Sequence, residues 1–212
     1  MTAAHSRGAG APLRLVLTGI LPALLCVGGL YGQAQPAKPT EYEVKAAYLS
    51  NFGRFVEFPQ DQSAGTQTSG TAEPVEPFNI CVLGADPFGP ALDRALAGET
   101  INRVPLVSKR IARVQEAPGC RILFIAASES KQLKPILDAL GTLPNGDKGI
   151  LTVSDDPQFT RRGGMIQFVF DAGPDGKTSR VRFEINLAAA QRAHLSLSSE
   201  LVKLATAVRR AP

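Results

Sequence analysis

The sequence predicts an α/β domain with a mostly parallel central sheet flanked by helices and an antiparallel hairpin at one edge. Three observations carry this. From Phe78 onward, short apolar runs alternate with helical patterns, the order expected of parallel strands joined by crossover helices. One run, "CRILFIAAS" from Cys120, is apolar almost throughout, as strands buried on both faces are. Near the C-terminus "MIQFVF" and "RVRFEINL" are joined by the turn-rich "DAGPDGKTS", which reads as a hairpin.

The elements follow in order. "PTEYEVKAAYLSNFGRFVEFP" opens the domain with a helix. Thr40 and Glu43 have capping-box spacing, Val44, Tyr48, Phe52 and Phe55 recur at helical steps, and Pro59 stops the run. Residues 60–77 are polar, small and proline-bearing, which predicts a flexible loop. "FNICVLG" is a strand. Asp86 and Pro87 are suited to cap and start a helix ending near Gly98. "RVPLVSK" and "CRILFIAAS" are strands. Ser128 starts a helix carrying Leu133, Ile136, Leu137 and Leu140, with Gly141 past its end. "GILTVSD" is a strand, and Asp156 with Pro157 is placed to cap a short helix that ends at Arg161 and Arg162. After the hairpin come a short helix, "LAAAQRA", and a longer one, "SSELVKLATAVRR", with Leu201, Leu204, Ala205 and Val208 on one side.

The first 34 residues stand apart from this domain. Arg7 and Arg14 precede an apolar run broken by Pro22, and Gly32 and Ala34 form a small-x-small site. This is the pattern of a signal peptide cut between Ala34 and Gln35, leaving one domain over residues 35–212. Pro22 and the glycines make a poor spanning helix, which weighs against a retained anchor. Bulky Leu25 weighs against a lipoprotein site at Cys26. Removing Arg7 and Arg14 lowers the basic count from 23 to 21 against 19 acids, so the exported domain carries only +2. No basic stripe with interleaved aromatics occurs, so nucleic acid is not an expected partner.

Two cysteines, Cys81 and Cys120, remain after the cut. An even pair in an oxidising compartment reads as a disulfide, whereas two buried thiols would suit a chain retained in the cytoplasm. Their separation, with His194 the only histidine left, gives no metal-ligand pattern.

Catalytic readings find little support. "CVLGADPFGP" lacks the central glycine of a dinucleotide fingerprint and places Asp86 where a phosphate would sit, so no cofactor is expected. No G-x-S-x-G elbow is present, and His194 in "AHLSLSS" resembles a junction between helices more than part of a triad. The polar positions of "RVRFEINL" are more informative. Arg182, Glu184 and Asn186 alternate with apolar residues and share one face of a strand. They either bond to the "RRGG" segment or a helix end, or they line a groove for a ligand or partner. With Arg161 and Arg162 they are the candidate binding residues.

Four stretches together carry a family resemblance: "VKAAYLSNFGRFVEFP", "ICVLGADPFG", "ILTVSDDPQFTRRGGMIQF" and "VRFEINLAAAQRAHLSLSSELVKLA". In this order and spacing the chain resembles the YfiR family of small periplasmic proteins over roughly residues 40–210. The resemblance implies a regulator without catalytic residues. Such a protein binds the periplasmic portion of a membrane-bound diguanylate cyclase and represses cyclic-di-GMP synthesis, and related domains serve as sensor portions of signalling proteins. It also implies a homodimer, with Cys81 and Cys120 matching one of the family's disulfides. The sequence departs from the family repressor by lacking a second cysteine pair around Asp155 to Arg162. The expected function is therefore a periplasmic regulatory protein, and the competing one is a periplasmic module binding a small or cell-envelope ligand.

Overall fold

The computed structural model describes residues 38–59, 76–143, 149–172 and 179–210. The expected leader, most of the expected loop at 60–77 and the tip of the hairpin lie outside the described residues.

Helix α1 (Glu41–Phe52) begins with the expected capping box. The Thr40 amide donates to Glu43 Oε2 at 2.8 Å and the Glu43 amide donates to Thr40 Oγ1 at 3.3 Å. Its buried face is rotated from the one the periodicity suggests. Ala46, Leu49 and Phe52 are buried together with Lys45, while Val44, Tyr48 and Phe55 are only partly covered. The chain then passes through β1 (Val56–Glu57), β2 (Phe78–Leu83), α2 (Pro90–Leu96), β3 (Thr100–Ile101), β4 (Val104–Ile111), β5 (Cys120–Ile125), α3 (Leu133–Thr142), β6 (Leu151–Ser154), β7 (Ile166–Ala172), β8 (Ser179–Asn186), α4 (Leu187–Arg192), β9 (Ser196–Leu197), α5 (Ser199–Leu204) and β10 (Ala207–Arg209).

The main sheet has the order β10-β8-β7-β6-β5-β2-β4-β3. Pairing is parallel from β4 through β2, β5 and β6 to β7, and antiparallel between β7 and β8. Short β1 and β9 form a separate antiparallel pair. The fold is thus a mostly parallel α/β sheet with an antiparallel hairpin towards one end. Its two faces bury separate apolar cores. Ile80, Val82, Ile122, Phe124, Phe168, Phe183 and Ile185 face α1 and α2, whereas Leu83, Leu123 and Ile125 face Leu133, Ile136 and Leu140 of α3. Period-two alternation along β2 and β5 divides the two sets. On the α1 side the Phe52 and Phe183 rings meet edge to face at 5.3 Å. On the α3 side Cys81 and Cys120 are bonded across neighbouring strands, with Cα atoms 5.9 Å apart and both residues buried.

Four local expectations change. Asp86 does not cap a helix. Its Oδ1 accepts from the Phe88 amide at 2.8 Å and its Oδ2 from Arg110 Nε at 3.0 Å, so α2 starts later, at Pro90, after Gly89. The segment from Ala127 to Gln132 is a 3-10 helix, and α3 follows it and runs past Gly141. Asp156 opens turns in place of a helix, because the Thr160 amide finds its acceptor in the Gln167 side chain. The longer C-terminal helix stops at Leu204. Both the amide and the hydroxyl of Thr206 donate to the Phe183 carbonyl, at 2.9 and 3.1 Å, and draw Ala207–Arg209 onto the edge of β8 as a parallel strand.

Candidate docking surface

The segment between β6 and β7 places two acids and two arginines within one reversal. Ser154 Oγ donates to the Ile125 carbonyl at 2.7 Å and accepts from the Asp156 amide at 3.1 Å, which fixes where the chain leaves β6. Asp156 Oδ1 then accepts from the Gln158 amide at 2.9 Å, an Asx turn. Phe159 is fully buried against the α3 side. Gly164 packs so closely on the Phe159 ring that a Cβ there would overlap it. Arg162 Nη1 donates to the Ser130 carbonyl at 2.9 Å and lies 3.5 Å from Asp156 Oδ2. Arg161 is exposed.

The polar face of β8 meets this turn. Gln167 stands opposite Glu184, and its Oε1 accepts from both the amide and the hydroxyl of Thr160 at 3.2 Å. Asn186 Nδ2 donates to the Thr160 carbonyl at 2.9 Å, and Asn186 Oδ1 caps α4 by accepting from the Ala189 amide at 2.9 Å. Glu184 Oε2 is 3.4 Å from the Thr160 hydroxyl. The fold therefore gathers Arg162, Glu184 and Asn186 around one turn, where Arg162 and Asn186 bond to backbone carbonyls and Glu184 meets the Thr160 hydroxyl. Arg161 and Arg182 are left exposed, and no ion-pair partner is found for either among the described residues. His194 sits apart in a left-handed backbone conformation, φ 58°, beside a 340 Å³ hollow that Leu187, Gln191 and Val202 also line.

A second cluster was not legible as a site. Lys45 is buried on the inner face of α1, with Glu41 one turn earlier and Asp155 Oδ2 at 3.0 Å. The Tyr42 hydroxyl donates to the same Asp155 oxygen at 3.0 Å. Burial, and then the Asp155 charge, push the Tyr42 phenol well above its ordinary range, so it remains a proton donor. The Tyr42, Phe168 and Phe170 rings lie 4.5, 5.8 and 5.5 Å from the Lys45 ammonium. Asp155 Oδ1 is buried without a partner. The available signal was Lys45 itself, which occupies an apolar-stripe position between Tyr42 and Leu49. These bonds tie the turn to α1 in a segment that carries no cysteine pair.

A model of YfiR/HmsC-like proteins matches residues 42–206. The chain belongs to the YfiR/HmsC-like family. The match runs from α1 to the approach of β10 and includes the disulfide and the acid–arginine turn, so both are features of a YfiR/HmsC-like domain in this chain. No curated protein matches it. Solved structures with a similar path include a conserved domain protein from Vibrio cholerae O1 biovar El Tor. It shares 13% identity and a TM-score of 0.45, over 62% of this chain and 54% of that one. Another is the ABC domain in complex with L-Trp from Streptococcus pneumonia, with 12% identity and a TM-score of 0.42 over 62% and 55%. This chain thus spans about half the length of each, and likenesses this loose carry no argument about function.

Proposed function

We propose that this YfiR/HmsC-like protein is a non-catalytic periplasmic regulator. It binds the periplasmic part of an inner-membrane signalling protein, a diguanylate cyclase, and restrains cyclic-di-GMP synthesis. The family match over residues 42–206 carries this reading. The local chemistry agrees with it, since Arg162 and Asn186 donate to backbone carbonyls and Glu184 accepts from the Thr160 hydroxyl, while Arg161 and Arg182 are offered at the surface. The exported chain begins at Gln35, after cleavage at Ala34, and acts as a homodimer. Docking restrains the cyclase only by the difference in affinity for its two states.

The test is crosslinking in the cell with affinity recovery of the tagged protein and identification of partners by mass spectrometry. Recovery of an inner-membrane cyclase is the expected result, and deletion of the gene then raises cyclic-di-GMP. Recovery of only the protein itself, or of cell-wall material, removes the regulator and favours a ligand-binding module.

A further inference from the structure

We propose that the outer edge of β10, with the exposed Arg182 of β8 on the same face, takes up an extended acidic segment of a partner protein as an additional strand. That the partner is a membrane signalling protein rests on the function proposed above; the chemistry of the edge does not.

β10 is the terminal strand of the sheet. It pairs with β8 through Ala207↔Glu184, Val208↔Ile185 and Arg209↔Asn186, and its other side has no strand partner among the described residues. In this parallel register Arg209 and Ala207 share a face with Asn186 and Glu184, and by period two with Arg182. Helices α4 and α5 bury Ala189, Ala190 and Leu201 in the core on the α1 side, while Arg182 and Ala207 are exposed here.

The charges on this stretch are unbalanced. Arg182 and Arg209 share this face with one acid, Glu184, whose nearest bonded neighbour is the Thr160 hydroxyl at 3.4 Å, and exposed Arg161 comes from the adjoining turn, whose Asp155 and Asp156 are engaged by Lys45 and Arg162. Arg209 Nε is buried and has no acceptor. It is out of reach of a docked segment, so the groups a carboxylate meets from outside are Arg182 and Arg161, both exposed and without an ion-pair partner among the described residues. An acidic strand suits the free edge and these exposed arginines together. Its backbone pairs with the free edge, and alternate residues aim carboxylates over the arginine face. Basic side chains also guard sheet edges against self-association. That role alone predicts no preference for a partner with a free backbone.

The test titrates the isotope-labelled exported protein with a short peptide alternating Glu and Val. The controls are the Lys/Val counterpart and the Glu/Val peptide N-methylated at alternate backbone nitrogens. The Glu/Val peptide is expected to shift the amide resonances of Ala207–Arg209 and of Arg182–Asn186, with affinity falling roughly tenfold in Arg182→Glu/Arg209→Glu. If the Arg209 change disturbs β10, Arg182→Glu alone, at an exposed position, serves in its place. Equal binding of the Lys/Val peptide, or unchanged binding by the variants, overturns the acidic site. Equal binding of the N-methylated peptide overturns strand addition. Failure to recover a membrane partner in the cell would remove the regulator and leave a positive peptide result standing; loss of peptide binding would leave a recovered partner standing.

Discussion

The Lys45 ammonium lies 3.0 Å from Asp155 Oδ2, joining the inner face of the first helix to the turn that follows β6. The lysine side chain is only 2% exposed and the aspartate 12%, so the pair is removed from water and neither charge is easily left alone. Two aromatic rings from β7 and one from α1 close around the ammonium.

Removing one member of this pair should therefore cost more than a surface ion pair would. Asp155→Ala is expected to destabilise the protein by about 3 kcal/mol, because Glu41 alone is left to balance a buried charge. Replacing both partners, as Lys45→Met with Asp155→Leu, should recover much of the loss. Urea midpoints at constant slope measure both effects. Equal losses in the single and double variants would show that the pair does not act as a unit.

Tyr42 adds an alkaline signature. Its phenol is raised above the unfolded value, so its contribution to stability is present below about pH 10 and is lost as pH rises through the folded value. The decline in stability above about pH 10 should flatten in Tyr42→Phe. In the folded wild type, phenolate absorbance should appear for Tyr42 only beyond the ordinary tyrosine range. A Tyr42 that titrates normally would remove the buried hydrogen bond to Asp155.

The Cys81–Cys120 bridge closes a loop of 39 residues. In the chain-entropy picture Cys81→Ser costs about 4 kcal/mol. Thermal unfolding should shift down accordingly, and the protein recovered from the envelope should show no titratable thiol when denatured without reductant.

Gly164 tests the turn by packing alone. A methyl group at this position overlaps the buried Phe159 ring, and the expected cost of Gly164→Ala is about 1–3 kcal/mol. The combination with Phe159→Leu should behave better than the sum of the two changes. Simple additivity would show that the contact is unimportant.

The strands were the most readable part of the chain. Runs such as "FNICVL" and "CRILFI" are buried on both faces, and their apolar character does not depend on what they pair with. The capping box of α1 was equally plain, because its hydrogen bonds close within one turn. Boundaries set by distant partners were not. Asp86 looks like a helix cap until Arg110 claims its carboxylate, and the Asp156 turn looks helical until Gln167 supplies its acceptor. The candidate surface was legible in its residue types, since period two put Arg182, Glu184 and Asn186 on one face. Which of them the fold would engage and which it would leave exposed depended on a turn more than twenty residues away in sequence.

Sequence alone determined the α/β class, the long apolar strands and their order along the chain, the resemblance to the family and the pairing expected of the cysteines. The class and the strands rest on hydrophobic periodicity, the family on the order and spacing of four stretches, and the cysteine pairing on an even pair after export and on that resemblance. Only the tertiary structure decided that Lys45 is buried, that the C-terminal segment leaves its helix to become β10, and that Arg209 comes to stand opposite Asn186. Each depends on groups brought together across the sheet, where a free edge or a buried carboxylate outweighs local propensity.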